Sequence, residues 1–275
     1  MDLLTLLKAA ILGMVEGATE FLPISSTGHL ILVGDLLNFM NHEKRGVFDI
    51  AIQLGAILAV VWEYRTRFVS TFAGIGRDAV ANRLIINLTI AFLPLAILGL
   101  AFGDKIKAHL FKPIPVAMAF IIGAFIILWA EKRKHTVTIE TVDDIRPIDA
   151  LKLGLAQAVA LIPGMSRSGS TIIGGLFFGL SRKAAAEFSF FLAVPTLGIA
   201  SIYSMYQDYA LLSMDDIGAW IVGFIFAFIS AMVAVRALIH YVSHHDFTIF
   251  AWYRIAFGII VLVTAYTGLV NWTVH

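Results

Sequence analysis

Cysteine is absent from the sequence, which removes disulfides, thiolate metal centres and cysteine nucleophiles together and leaves the redox compartment undefined. Charge is scarce as well. Only 14% of the 275 residues are Asp, Glu, Lys or Arg, against roughly 25% in soluble domains, while 59% are hydrophobic and 21 are Phe. So little polar surface cannot cover a water-soluble globule of this length, and the outward face must meet lipid. An excess of either sign is missing too, since 20 Lys and Arg against 19 Asp and Glu give a formal net charge of +1. That balance offers no basic field for nucleic acid and no acidic tail for a partner. From Asp2 and Leu3 onward there is no basic n-region, and Glu16 rather than a cleavage site interrupts the first apolar run. No signal peptide is expected.

What the sequence has in abundance is apolar length. Six segments, about 47–62, 84–102, 114–130, 188–203, 217–239 and 250–272, are predicted to span a bilayer. The first and fourth are short for a span of about 20 residues, so local thinning or burial in protein is expected to help them. Two further segments, 9–37 and 150–181, are apolar but broken, the first by Pro23, Ser25-Ser26-Thr27-Gly28 and His29, the second by Pro163-Gly164 and Ser166-Arg167-Ser168-Gly169. Each reads as two half-helices around an unwound tip, the later halves opening near Leu30 and Thr171. Unwound backbone at membrane depth is tolerated only where protein or a watery cavity surrounds it, so both tips are predicted to line one internal site.

The broken segments also match each other. At one constant offset, Leu12-Gly13 falls on Leu153-Gly154, Glu16 on Gln157, Ser25 on Ser166, Thr27 on Ser168 and Gly28 on Gly169, and Phe48 onward compares more loosely with Phe188 onward. An odd number of full spans separates them, so the halves would lie in opposite orientations. The predicted fold is therefore an all-α polytopic membrane protein: one domain over 1–275, six transmembrane helices, two re-entrant helical hairpins, and an inverted-topology repeat with cores at 9–62 and 150–203. With both hairpins re-entrant, one side of the membrane collects Arg65, Arg67, Arg77, Arg83, Lys132, Arg133, Lys134, Arg146, Lys152, Arg182 and Lys183, with Arg236 and Arg254 as flanks. The opposite side holds Lys8, Lys44, Arg45, Lys105, Lys107 and Lys112, and the acidic loop with Asp208, Asp215 and Asp216. Lys and Arg gather on the cytoplasmic side, which places the first set there and both termini outside.

Ionisable groups inside apolar segments call for a reason, because each costs about 2.5–3.5 kcal/mol at the bilayer centre. Glu16 and Glu20 are four apart, on one helix face beside Gly17 and Ala18. Two such carboxylates can share a hard divalent cation or divide into an acid and a base; otherwise they are a surface pair or a packing contact with a basic partner. Past Pro23, the hydroxyls of Ser25, Ser26 and Thr27 with the imidazole of His29 supply a nucleophile, a base and hydrogen-bond donors, although Ser-Thr-Gly is also ordinary N-cap chemistry. In the second tip, Arg167 stands among Gly164, Ser166, Ser168, Gly169, Ser170 and Thr171 just before a helix. Backbone N–H groups, a positive helix end, hydroxyls and a guanidinium fork suit a phosphate, without the spacing of a Walker A loop. A structural turn whose Arg reaches a headgroup is the plainer alternative. His240, His244 and His245 read as solvated, Glu131-Lys132-Arg133-Lys134 as a solvated flank, and Asp49, Gln53, Asn87 and Glu187 as supporting groups. Gly174, Gly175 and Gly179 allow close helix packing, within the chain or in a homodimer.

The pattern Glu16-x-x-x-Glu20, Pro23-x-Ser25-Ser26-Thr27-Gly28-His29 with Pro163-Gly164-x-Ser166-Arg167-Ser168-Gly169-x-Thr171 resembles the undecaprenyl-diphosphate phosphatase family, the bacterial bacitracin-resistance proteins, over essentially the whole chain. The resemblance implies conversion of undecaprenyl diphosphate to undecaprenyl phosphate, which recycles the lipid carrier for peptidoglycan. It further implies a divalent metal ion such as Mg or Ca, a bacterial plasma-membrane location and a site opening to the periplasmic side. On that basis Glu16 and Glu20 are expected to hold the cation, and Arg167, Gly164 and the groups from Ser166 to Thr171, with Ser25 and Thr27, to bind the diphosphate. The attacking group is expected to be Ser26 activated by His29, His29 itself, or water activated by a carboxylate such as Glu20. The rival from another class is a secondary transporter or flippase for an anionic lipid, since broken helices and inverted repeats are shared with that class.

Overall fold

The structure, a computed structural model, describes residues 2–134, 136–207, 214–270 and 272, so Asp208 of the acidic loop lies outside it. The described residues form helices throughout, save one isolated parallel bridge between Ile139 and Leu180. In chain order these are α1 (Leu3–Glu20), α2 (Ser26–Leu36), α3 (His42–Glu63), α4 (Arg65–Ala73), α5 (Ala79–Leu110), α6 (Pro113–Lys132), α7 (Pro147–Ala158), α8 (Arg167–Phe177), α9 (Arg182–Gln207), α10 (Ile217–Val242) and α11 (Thr248–Thr267). Local chemistry sets many of the starts. Asp2 and Asn41 accept the backbone N–H groups of Thr5 at 3.0 Å and Lys44 at 2.9 Å, and Pro147 opens α7 where its missing N–H costs nothing.

Among the described residues, six helices are long and apolar enough to cross a membrane: Glu43–Glu63, Ala79–Ile106, Pro113–Lys132, Arg182–Gln207, Ile217–Val242 and Thr248–Thr267. They fall on the six predicted segments. The two that looked short are not: α3 has 22 residues and α9 has 26. Both continue through charged residues: Arg182 pairs with Glu131 at the start of α9, and Arg45 is buried beside Gly34 near the start of α3. The last predicted segment ends earlier, at Thr267, where Gly268 takes a left-handed φ of 69°.

The broken segments differ from expectation at their tips. α2 begins at Ser26 rather than Leu30, and α8 at Arg167 rather than Thr171, each with 11 residues. Each is preceded by a serine in the left-handed region, Ser25 at φ 69° and Ser166 at φ 73°. The conformation is uncommon for a residue with a Cβ. It turns the chain sharply enough to start the second helix three residues after Pro23 and four after Pro163.

Small residues let the helices close on one another. α1 lies so close to α10 that a Cβ on Gly13 would stand 2.2 Å from Gly223 O, and one on Gly17 2.2 Å from Ala227 O. α5 and α7 meet in the same way, with the Gly154 position 2.6 Å from Ala91 O. Gly174 closes on Ala156 and Gly175 on Ala185, so these glycines serve packing inside the chain. Gly17→Val should lower the thermal unfolding midpoint in detergent, since overpacking costs about 1–3 kcal/mol. Gly46→Ala, which meets nothing within 4 Å, should leave it unchanged or slightly higher.

Charged groups tie the ends together. Lys44 pairs with Asp216 at 2.7 Å, Arg236 with Glu63 at 2.7 Å, and Arg67 with Asp143. Glu131 is not a solvated flank: it pairs with Arg182 and accepts from the Phe247 N–H at 2.9 Å, its side chain buried between them. The start of α1 is tied to the residues after α2 by Lys8 Nζ on Asn38 O at 3.4 Å. The segment leading to α7 meets the residues after α8 through Thr138 N–H to Gly179 O and Ser181 N–H to Ile139 O, both 2.9 Å. The outer ends of each helix pair therefore lie together.

Candidate active site

The last turn of α1, the first turn of α2 and the first turn of α8 converge. Glu20, at the end of α1, accepts from Ser26 Oγ at 2.6 Å on one oxygen and from Arg167 Nη2 at 2.8 Å on the other. Arg167 also donates through Nη1 to Ser189 O at 2.9 Å and Ser189 Oγ at 3.2 Å, and its guanidinium lies 5.7 Å from the centre of the Phe21 ring. Both members of the Arg167–Glu20 pair are nearly sealed from the outside, at 8% and 6% exposure. Ionised groups in so dry a place attract strongly and lose much hydration, a combination that suits a site built to receive a further charge. Arg167 Nε is buried with no partner, a donor held in reserve. Ser26 and Arg167 occupy matching places, each the first residue of an 11-residue helix after a left-handed serine.

A cavity of about 230 Å³ opens beside this cluster. Glu20, Ser25, Ser26, Thr27, Ser166 and Arg167 form its polar wall, with Gly164 beside them, and Leu95, Phe111, Leu161 and Leu197 its apolar wall. Gly164, at φ 95°, could carry no Cβ, which would stand 2.6 Å from Val116 O. Ser166 and Ser168 instead sew the two tips together: Ser168 Oγ donates to Leu22 O at 2.7 Å, and Ser166 Oγ caps α8 by accepting from Gly169 N–H at 3.0 Å. Thr171 turns back on its own helix, donating to Arg167 O at 3.0 Å. Among the expected phosphate-binding residues, then, Ser168, Gly169 and Thr171 build the tip rather than face the cavity.

His29 is placed elsewhere than beside the Ser26 hydroxyl. Its Nδ1 lies 2.7 Å from Ser25 O, an atom that only accepts, so Nδ1 carries a proton and donates. Nε2 lies 2.6 Å from the Tyr253 hydroxyl, and the ring stacks on Phe257 with centres 3.9 Å apart. Both nitrogens are occupied, and Ser26 gives its hydrogen bond to Glu20 instead. Glu16 sits one turn before Glu20 on the same face, 1% exposed, with neither carboxylate oxygen partnered; Asp49 Oδ1 is likewise buried without a partner. Among the supporting groups, Gln53 accepts from Ser201 Oγ at 3.1 Å and lines the cavity, and Asn87 donates to Ile145 O at 2.7 Å. Gln157, which falls on Glu16 in the internal match, donates to Ala91 O at 3.3 Å and accepts from Thr196.

The model of the family described as bacitracin resistance protein BacA matches residues 9–260. The chain belongs to that family. With its six apolar helices, this BacA-family chain is a multi-pass membrane protein. It is 64% identical over 273 residues to the undecaprenyl-diphosphatase 2 of Rhodospirillum rubrum, a match covering 99% of this chain and 100% of that one. It is also 64% identical over 272 residues to the undecaprenyl-diphosphatase of Dechloromonas aromatica, covering 99% of both. The undecaprenyl-diphosphatase of Nitrosomonas europaea is 62% identical over 274 residues, with both chains covered in full.

Sequence reasoning missed Arg254. Counted among the flanking basic residues, it is 1% exposed and lies against both tips. A signal was present: the residue falls inside an apolar segment predicted to span, where a cation calls for an internal partner.

Proposed function

We propose that this chain hydrolyses the terminal phosphate of undecaprenyl diphosphate, giving undecaprenyl phosphate, recycling the carrier lipid for cell-wall synthesis and so conferring bacitracin resistance. The observation that carries the reading is Glu20 held between Ser26 Oγ and Arg167 at the wall of one cavity. A transporter needs an anion site but no hydroxyl aligned on a carboxylate.

The chemistry follows from the contacts. Ser26 Oγ attacks the terminal phosphorus and passes its proton to Glu20 Oε2, while the bond to the bridging oxygen breaks and undecaprenyl phosphate leaves with the electron pair. Glu20 gives that proton up to the departing phosphate; water then attacks the phosphoserine, Glu20 takes the water proton and passes it to Ser26 Oγ as the Oγ–P bond breaks, and inorganic phosphate is released. Arg167 offers Nε and its charge to the equatorial oxygens throughout. His29, donating to Ser25 O, holds the residue before Ser26 in place rather than accepting the serine proton. Glu16 and Glu20 fit a hard divalent cation, Mg or Ca: two buried oxygens of Glu16 have no hydrogen-bond partner, and Glu20 is one turn away on the same face. When bound, such an ion polarises phosphoryl oxygens and offsets the negative charge of the carboxylates.

The architecture supports the membrane geometry. We read both helix pairs, α1–α2 and α7–α8, as re-entrant, because the outer ends of each pair lie together. An inverted repeat is supported by the matched lengths of α2 and α8, the shared serine conformation, and the exchange of partners by which α1 packs on α10 as α7 packs on α5. The cavity wall uses the later halves of α5 and α9, whose first two turns carry Arg83, Arg182 and Lys183. It therefore lies away from the Arg-rich side and opens toward the periplasm. Leu161 lines both this cavity and an apolar groove formed with Leu98, Phe102, Ile106 and Ile162, a path by which a polyprenyl tail stays in lipid while its diphosphate enters.

The direct test is release of inorganic phosphate from a polyprenyl diphosphate by the detergent-purified protein, with and without chelator. Release is expected in divalent salt and is expected to fall at least tenfold on chelation. No release under any divalent ion would refute the phosphatase reading, and undiminished release after chelation would refute the metal.

A further inference from the structure

Arg254 has an unusual set of partners. Its guanidinium has five N–H donors, and all are directed at main-chain carbonyls: Nε to Phe120 O at 3.2 Å, Nη1 to Pro23 O and Met165 O at 3.1 Å each, Nη2 to Ala119 O at 3.0 Å and Gly164 O at 2.9 Å. No carboxylate balances it in these contacts. The fixed fork of an arginine can satisfy five acceptors in one plane, which the three donors of a lysine cannot. The carbonyls come from three places, the tip between α1 and α2, the tip between α7 and α8, and α6. Phe120 adds its ring 5.3 Å from the guanidinium carbon. Room for the head group is made by Gly123, where a Cβ would stand 2.2 Å from Arg254 Nη2.

We infer that Arg254, seated on Gly123, is a positioning residue that fixes the two tips relative to each other, so that Ser26 on one and Arg167 on the other meet Glu20 in register. The inference rests on the phosphatase reading for its consequence in turnover and on the five contacts alone for its structural part. Arg254 touches neither Ser26 nor Glu20 nor Arg167 among its hydrogen bonds, so it acts through the backbone.

The test compares Arg254→Lys and Gly123→Ala with the unaltered protein, full length and purified in detergent. Gly123→Ala changes no charge and touches no proposed catalytic group, but it displaces the guanidinium. Both variants are expected to keep a cooperative unfolding transition and a KM within threefold, while kcat falls about 100-fold, the loss that a misplacement of about 1 Å can produce. Hydrogen–deuterium exchange should rise in peptides covering 21–29 and 162–170 and stay unchanged in α3, α5 and α10. That readout needs no turnover, so the clamp remains testable if the unaltered protein releases no phosphate. Unchanged exchange at the tips in a folded variant would overturn the clamp. Raised exchange with unaltered kcat would overturn its role in the reaction. Loss of the folded state in both variants would also overturn the inference, because Arg254 would then be a requirement of the whole fold rather than of the tips.

Discussion

Arg167→Ala is expected to reduce phosphate release by about 10³-fold or more in a protein that stays folded. The side chain joins a carboxylate at 2.8 Å to the α9 backbone at Ser189, and its Nε is buried without a partner. Truncation removes the cation that offsets charge gathering on the phosphorus, and it frees Glu20 to repel the substrate. The fold should survive. Glu20 keeps the Ser26 hydrogen bond, but a buried pair loses one partner, so the stability loss should be about 3–5 kcal/mol. Arg167→Lys should recover part of the binding and little of the rate, because a single ammonium cannot span Glu20 and Ser189 as the guanidinium fork does. Steady-state kinetics with an unfolding curve on the same preparation is the check. A folded Arg167→Ala protein with near-normal kcat would refute the clamp on the phosphate.

Ser26→Ala is expected to be as damaging, a loss of about 10³-fold or more in kcat with KM little changed. The hydroxyl is the only nucleophile in hydrogen-bond contact with Glu20 among the described residues, at 2.6 Å. His29→Gln should cost less, because the glutamine amide can still donate to Ser25 O and preserve the start of α2. Rapid quench of the unaltered enzyme should trap acid-stable phosphate on Ser26. Acid-labile phosphate on His29, or a fully active Ser26→Ala protein, would overturn the serine route. Together the two variants separate the group that attacks from the group that holds its neighbour.

The reasons some of this was legible in the sequence, and some not, are physical. Carboxylates and an arginine inside apolar runs stand out because hydrocarbon penalises them, so Glu16, Glu20 and Arg167 announce themselves. Long apolar segments likewise mark six helices, although a count that stops at the first charge clips α3 and α9, which continue through Arg45 and Arg182. The helix starts at Ser26 and Arg167 were hidden by two serines that take left-handed φ, a conformation for which serine gives no local signal. The orientation of His29 was decided by Tyr253 and Phe257, far away in the chain, and no spacing rule reaches that distance. Arg254 was visible but counted with the surface charges, because a tally by sidedness assumes that a basic residue near a helix start meets water.

The backbone carbonyls gathered on Arg254 also bear on movement. Alternating access requires that one bundle rock against the other about a central site, with contacts across the divide made and broken in each cycle. Here a single rigid side chain from α11 grips both tips and α6 at once, leaving no slack at the one place where such rocking would have to part them. The scaffold shares its broken helices with carriers, but the proposed clamp ties both tips to α6 and α11. If the clamp is as inferred, substrate is expected to enter and product to leave on one side of the membrane, without rocking of one tip against the other.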